Sequence, residues 1–213
     1  MLFLIEAFSV STIGAQALAP PRFPLDVVPK PTLKSAPSST ITLGPLKVTF
    51  DKTTLDEIRT EIGVGRIEHQ DDAVESSYWL CYSVVGSGPK EKVWFLSHGE
   101  MGGPDHVIHG IAARALSDSS SVDTCSDLPQ KFRTLSLDSG IWLGTTSTAI
   151  RKKLGEPSLS RDSWLHYESL RELRGDPRAK EWGADTFYEY GGFSVRIRGG
   201  IAVELWATLS TAG

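Results

Sequence analysis

Three histidines fall close together: His98, His106 and His109, with Glu100 and Asp105 between them. Imidazole and carboxylate are the ligand types that hold zinc and other transition metals. A metal-dependent hydrolase using residues 98–109 is the chemistry such a set would support. The spacing argues against it. Side chains alternate along a strand, so His98 and Glu100 share a face while His106 and His109 do not. The same alternation turns Ser97 away from His98, which rules out a nucleophile–base pair between them. The intervening Gly102, Gly103 and Pro104 read as turn residues. The chain has no glycine-rich phosphate loop, paired-carboxylate signature or nucleophile elbow. The expectation is a non-enzyme with no metal and no cofactor, and the hydrolase is the alternative.

Two further sets of residues carry chemistry. Cys81 and Cys125 are the two cysteines of the chain. They suit one disulfide in an oxidising compartment; the alternative is two unpaired thiols. Six tryptophans are present. Trp206, with Arg196 and Glu204, is read on the outward face of a C-terminal hairpin. Trp and Arg are the residues that dominate interface energies, so these three form the expected partner-binding site.

The elements that would position these residues repeat. Residues 53–65 align with residues 145–157, placing Ile58 on Ile150, Arg59 on Arg151 and Gly63 on Gly155. Trp79 then falls on Trp164 and Tyr82 on Tyr167, after a shift of seven residues that a loop can absorb. Such a duplication implies two copies of one structural unit. In the first copy, Thr54 and Glu57 form a capping box, Leu55, Ile58 and Ile62 recur at helical spacing, and Gly63 ends the helix. Strands are expected at 78–85 and 92–98, with a further element at 106–116. In the second copy the spacing predicts an entry strand at 131–137 and a helix at 146–154. Gly155 would end that helix in the left-handed conformation. Strands follow at 164–170 and 186–190, then a hairpin of 193–197 and 201–209. Residues 168–181 read as a solvated charged loop. Keeping apolar residues opposite one another in the hairpin calls for a three-residue loop, Arg198, Gly199 and Gly200. Trp79 and Trp164 are expected in the core.

The flanking composition completes the layout. Residues 1–19 are apolar apart from Glu6 and end with Ala17 and Ala19, a signal-peptide pattern that lacks the basic start. Residues 20–42 hold six of the 12 prolines and read as an extended leader. Repeat module one spans 43–117, a polar linker 118–130 and repeat module two 131–213. The formal net charge of −4 gives no footprint for nucleic acid. No apolar stretch is long enough for an integral membrane span in the mature chain.

A short helix ending at Leu154, Gly155 and Pro157, the Trp164–His166–Tyr167 strand and the glycine-turn hairpin together resemble the β-lactamase-inhibitor-protein-like (BLIP-like) fold. The pattern is also similar to the SmpA/OmlA-type outer-membrane assembly lipoproteins. It departs from the latter in lacking a lipidation cysteine and in having two copies. The resemblance implies an α+β fold of two tandem repeats, each a short helical start packed on a three- to four-stranded antiparallel sheet. It also implies a secreted or periplasmic protein that binds another protein of the envelope or extracellular space through its sheet face, as an inhibitor or an assembly accessory.

Overall fold

A computed structural model describes residues 19–25, 29–71, 76–86, 89–99, 107–116, 125–181, 183 and 186–212. Residues 1–18, which carry most of the expected signal peptide, lie outside this set, as do Glu100, Asp105 and His106 of the histidine segment.

Helix α1 (Leu55–Ile62) forms where its local signals place it. The Glu57 amide donates to Thr54 Oγ1 at 3.1 Å and the Thr54 amide donates to Glu57 Oε2 at 2.8 Å, closing the capping box. Its apolar side chains Leu55, Ile58 and Ile62 are all buried. Helix α2 (Ser147–Leu154) is capped by Thr146, whose hydroxyl accepts from the Ala149 amide at 3.2 Å. The two helices end differently. Gly63 has φ 81° and ψ 1°, the left-handed stop, whereas Gly155 has φ 81° and ψ −157°. That second conformation is not the expected left-handed one but belongs to a region that side chains essentially never enter.

Strands far outnumber helices, so the fold is richer in sheet than the α+β expectation suggested. Strands β1 (Thr40–Leu43), β2 (Leu46–Thr49), β3 (Ile67–Asp71), β4 (Ser76–Val84), β5 (Glu91–Gly99) and β6 (Gly110–Ala115) belong to the first half of the chain. Strands β7 (Ser126–Asp127), β8 (Leu135–Leu137), β9 (Leu159–Arg161), β10 (Trp164–Leu173), β11 (Phe187–Arg198) and β12 (Ile201–Ala212) follow. A nine-stranded sheet runs β3-β4-β5-β6-β12-β11-β10-β9, with β7 alongside β4. All its pairings are antiparallel except β4 with β7. A separate three-stranded sheet, β2-β1-β8, joins residues of both halves. One large core cluster lies between the helices, the small sheet and one face of the large sheet, and includes Ile58, Phe95, Ile150, Tyr167 and Phe193. Among the described residues, no helix is long and apolar enough to cross a membrane.

Three further expectations are corrected. First, the hairpin turn has two residues, not three. Arg198 pairs Ile201 across Gly199 and Gly200, and a β-bulge then shifts the register so that Arg196 pairs Glu204. Both turn glycines have positive φ, 57° and 82°, as a type I′ turn requires. The extra residue, Val203, corrects the parity that the sequence argument had assigned to the loop. Second, β11 is continuous through Gly191 and Gly192. These glycines are close-approach sites rather than a break. A Cβ on Gly191 would lie 2.4 Å from Ala36 Cβ, and one on Gly192 would lie 2.7 Å from Thr208 Oγ1. Third, residues 168–181 are not simply a solvated loop. β10 continues to Leu173, and a short helix α3 (Pro177–Glu181) follows. Its Arg178 bonds Asp51 Oδ2 at 3.1 Å and Thr211 Oγ1 at 3.1 Å, tying the excursion to the body.

Candidate functional site

The large sheet has a second face, away from the helices, and its side chains can be read off the strand register. One row crosses six strands: His166, Ser194, Trp206, Ala112, Trp94 and Cys81. The row on one side is charged and runs from Trp164 through Arg196, Glu204 and Arg114 to Lys92. The row on the other side runs Glu168, Gly192, Thr208, Gly110, Leu96, Trp79. Trp79, Cys81, Trp94, Leu96, Ala112, Cys125 and Trp206 form a second, smaller buried cluster on this face. Cys81 and Cys125 are disulfide-bonded within it, with Cα atoms 5.0 Å apart.

The three expected partner-binding residues do share this face. Glu204 is buried and receives Arg114 Nη2 at 2.7 Å, with Arg196 Nη1 at 3.8 Å. Arg196 is about one-third exposed at its side chain, 35%. Trp206 is not on open surface: it is only 4% exposed. The ring of Phe23 meets it edge-on at a centroid distance of 5.2 Å. The leader folds back over the sheet, a non-local contact that strand alternation cannot reveal.

A groove of about 780 Å³ lies between this leader and the sheet. Its walls include Pro20, Pro21 and Phe23 of the leader, and its floor includes Trp79, Glu168 and Trp206. The indole N–H groups of these two tryptophans are buried and have no acceptor among the described residues. An unmet buried donor costs free energy and so marks a place where an acceptor fits. The leader is anchored next to the groove. The amides of Thr32 and Leu33 both donate to the Glu168 carbonyl at 3.0 Å, and Leu33 bridges Ser169 in parallel.

Glu168 is the electrostatic feature that the sequence reading missed. Its carboxylate lies under the bare Gly192, where a Cβ would stand 3.3 Å from Oε2. Burial raises its pKa from 4.5 to about 7. The folded chain therefore keeps this proton up to about pH 7, while the unfolded chain releases it near the ordinary value. Stability from this group is complete below pH 4.5 and is lost as pH rises toward 7. Glu168→Gln removes that dependence. Between pH 4.5 and pH 8 the unmodified chain should lose about 2–3 kcal/mol relative to the variant. Urea unfolding at both pH values checks it, and parallel pH profiles for the two proteins would refute it.

The histidine segment is only partly described. His98 is exposed and its Nδ1 lies 2.9 Å from Ser77 Oγ. The backbone of His109 donates to the Leu96 carbonyl and accepts from the Leu209 amide. Among the described residues, no three His, Cys, Asp or Glu side chains gather as a metal set. His166 instead sits buried on the second face, its Nδ1 2.8 Å from Ser194 Oγ, and burial lowers its pKa. No family model, curated protein or solved structure matches the chain.

Proposed function

We propose that the chain is an exported, non-enzymatic protein-interaction module that receives a partner protein on the second face of its large sheet. The observation carrying this reading is the groove whose floor includes two tryptophans with buried indole donors that have no acceptor among the described residues. Arg196, Arg114 and Glu204 lie in the next row of the same face, beyond Trp206. There they line a neighbouring pocket and add charge beside the aromatic residues, a combination found at binding hot spots. The disulfide suits an oxidising, secreted or periplasmic setting.

The tandem-repeat reading supports the same proposal. Helix α1 is followed by β3 to β6 and helix α2 by β9 to β12, in the same order. Ile58 and Ile150 are both fully buried in the large cluster. Trp79 belongs to the cluster on the second face, and Trp164 packs against it. The capping residues match as well: Thr54 bridges Val107 ahead of β6, and Thr146 bridges Ile201 at the start of β12. On this reading the likeness to the BLIP-like fold extends to a sheet face used for protein binding.

Two substitutions test the site. Trp206→Ala is expected to lower partner affinity by about 2 kcal/mol. Because Trp206 also packs in a buried cluster, Arg196→Ala, in the next row of the same face, serves as the companion. It should weaken binding by about 1 kcal/mol with the fold intact. The partner is first identified by cross-linking in native envelope extract, and affinity is then measured with purified components. Full binding by both variants, with loss in His106→Ala or His109→Ala, would overturn the proposal in favour of the histidine segment; His98 itself lines the groove and does not discriminate.

A further inference from the structure

The leader does more than cover the sheet. Its prolines Pro20, Pro21 and Pro24 bracket Phe23, and this stretch joins no strand of either sheet. A proline-rich chain of that kind favours the extended polyproline II form, which has fixed φ angles and few donors of its own. Grooves that recognise such chains are lined with aromatic rings, and tryptophan N–H groups are well placed to donate to the carbonyls that prolines leave free. The groove here has that lining, and Phe23 already occupies part of it. Yet among the described residues the indoles of Trp79 and Trp206 find no acceptor. The leader therefore fills the aromatic part of the site and leaves its polar part unmet.

We infer that residues 20–25 are a built-in, imperfect occupant of the groove, and that the partner enters as an extended proline-rich segment carrying an aromatic residue, displacing them. This rests on the binding-module reading above and adds the chemistry of the partner and the means of regulation. Tethering is what lets a poor occupant compete. A segment held close by a short linker acts at an effective concentration of order millimolar. Only a ligand that satisfies the two indoles as well as the Phe23 subsite outcompetes it. Release of the leader leaves the Thr32 and Leu33 amides bonded to Glu168, so the displaced arm stays attached beside the groove.

The test uses the full oxidised chain and a fluorescein-labelled synthetic peptide of residues 20–25. Phe23→Ala should bind this peptide at least ~10-fold more tightly than the unmodified chain, because its competitor has been weakened. Pro20→Gly with Pro21→Gly, which loosens the leader without touching Phe23, should act in the same direction. Within the Phe23→Ala background, Trp206→Phe keeps a ring but removes the N–H that residues 20–25 leave unmet. Affinity for this peptide should therefore change by less than about 2-fold. A several-fold loss would show that the leader already satisfies the indole and would overturn the imperfect fit. A peptide in which glycine replaces every proline should bind poorly. Equal affinity of the unmodified and Phe23→Ala chains overturns the inference, as does equal binding of the glycine peptide or no binding to either protein. A concentration-dependent dimer that Phe23→Ala dissolves would assign the occupant to a second copy and overturn the internal arrangement. The two levels stay separable. If Trp206→Ala loses the native partner while Phe23→Ala changes nothing, the binding face stands and the built-in occupant falls. If neither variant has an effect, both fall.

Discussion

Replacing Cys81 and Cys125 together with alanine is expected to lower the free energy of unfolding by about 4 kcal/mol. The bond closes a separation of 44 residues, and restricting a loop of that size in the unfolded chain has about that worth in the chain-entropy model. Both positions are buried, 3% and 8% exposed, among Trp79, Trp94 and Trp206. Alanine rather than serine is the right replacement, because an unpaired hydroxyl there would add a desolvation cost of its own. Equilibrium urea unfolding followed by tryptophan fluorescence should show the midpoint falling by about 2 M, given the slope usual for a domain of this size. An unchanged midpoint would mean that the bond does not constrain the unfolded chain.

Gly110→Val is expected to destabilise the chain by about 3 kcal/mol or more. Gly110 stands where β6 meets β12, paired with Thr208. A Cβ there would lie 2.3 Å from the Ala207 carbonyl oxygen and 2.9 Å from Thr208 Cα. Both are backbone atoms, so no side chain can move aside, and the strand itself must shift. The β6–β12 pairing is the seam of the large sheet, so the strain falls where the first four strands join the last four. Gly86→Ala is the control, since a Cβ there meets nothing within 4 Å. Matching melting temperatures for the Gly110 and Gly86 variants would show that the seam tolerates the added volume.

What was legible in the sequence was local. The Thr54–Glu57 box, the apolar spacing of Leu55, Ile58 and Ile62, and the strands around Trp79 and Trp164 depend on neighbours a few residues away. The expected pairing of Cys81 with Cys125 agrees with the disulfide in the structure. The errors came from features set by distant contacts. Gly191 and Gly192 looked like a break because glycine usually marks one, but here they make room for Ala36 and Thr208. The hairpin parity was assigned to the loop because a bulge at Val203 leaves no mark in the alternation. Arg196 and Glu204 were placed on the correct face. The cover over Trp206 was missed because Phe23 lies far off in the chain, in a segment read only as a spacer. An aromatic residue set among those prolines was the available signal. Glu168 gave none: its pKa follows from burial, and burial is a property of the assembled sheet.

The central position of β12 has a consequence for how the protein is made. Each strand from β3 to β6 pairs with the next in sequence, and so does each from β9 to β12, so these contacts can form as the chain emerges. The seam cannot: β6 at residues 110–115 waits for residues 204–208. Until residues 201–212 are in place, β6 carries an unpaired edge with Ile111, Ala112 and Ala113 along it, and such an edge is a template for wrong partners. The β6–β12 seam is therefore the long-range pairing on which the large sheet depends, and a chain truncated before residue 201 is expected to aggregate more than the full one.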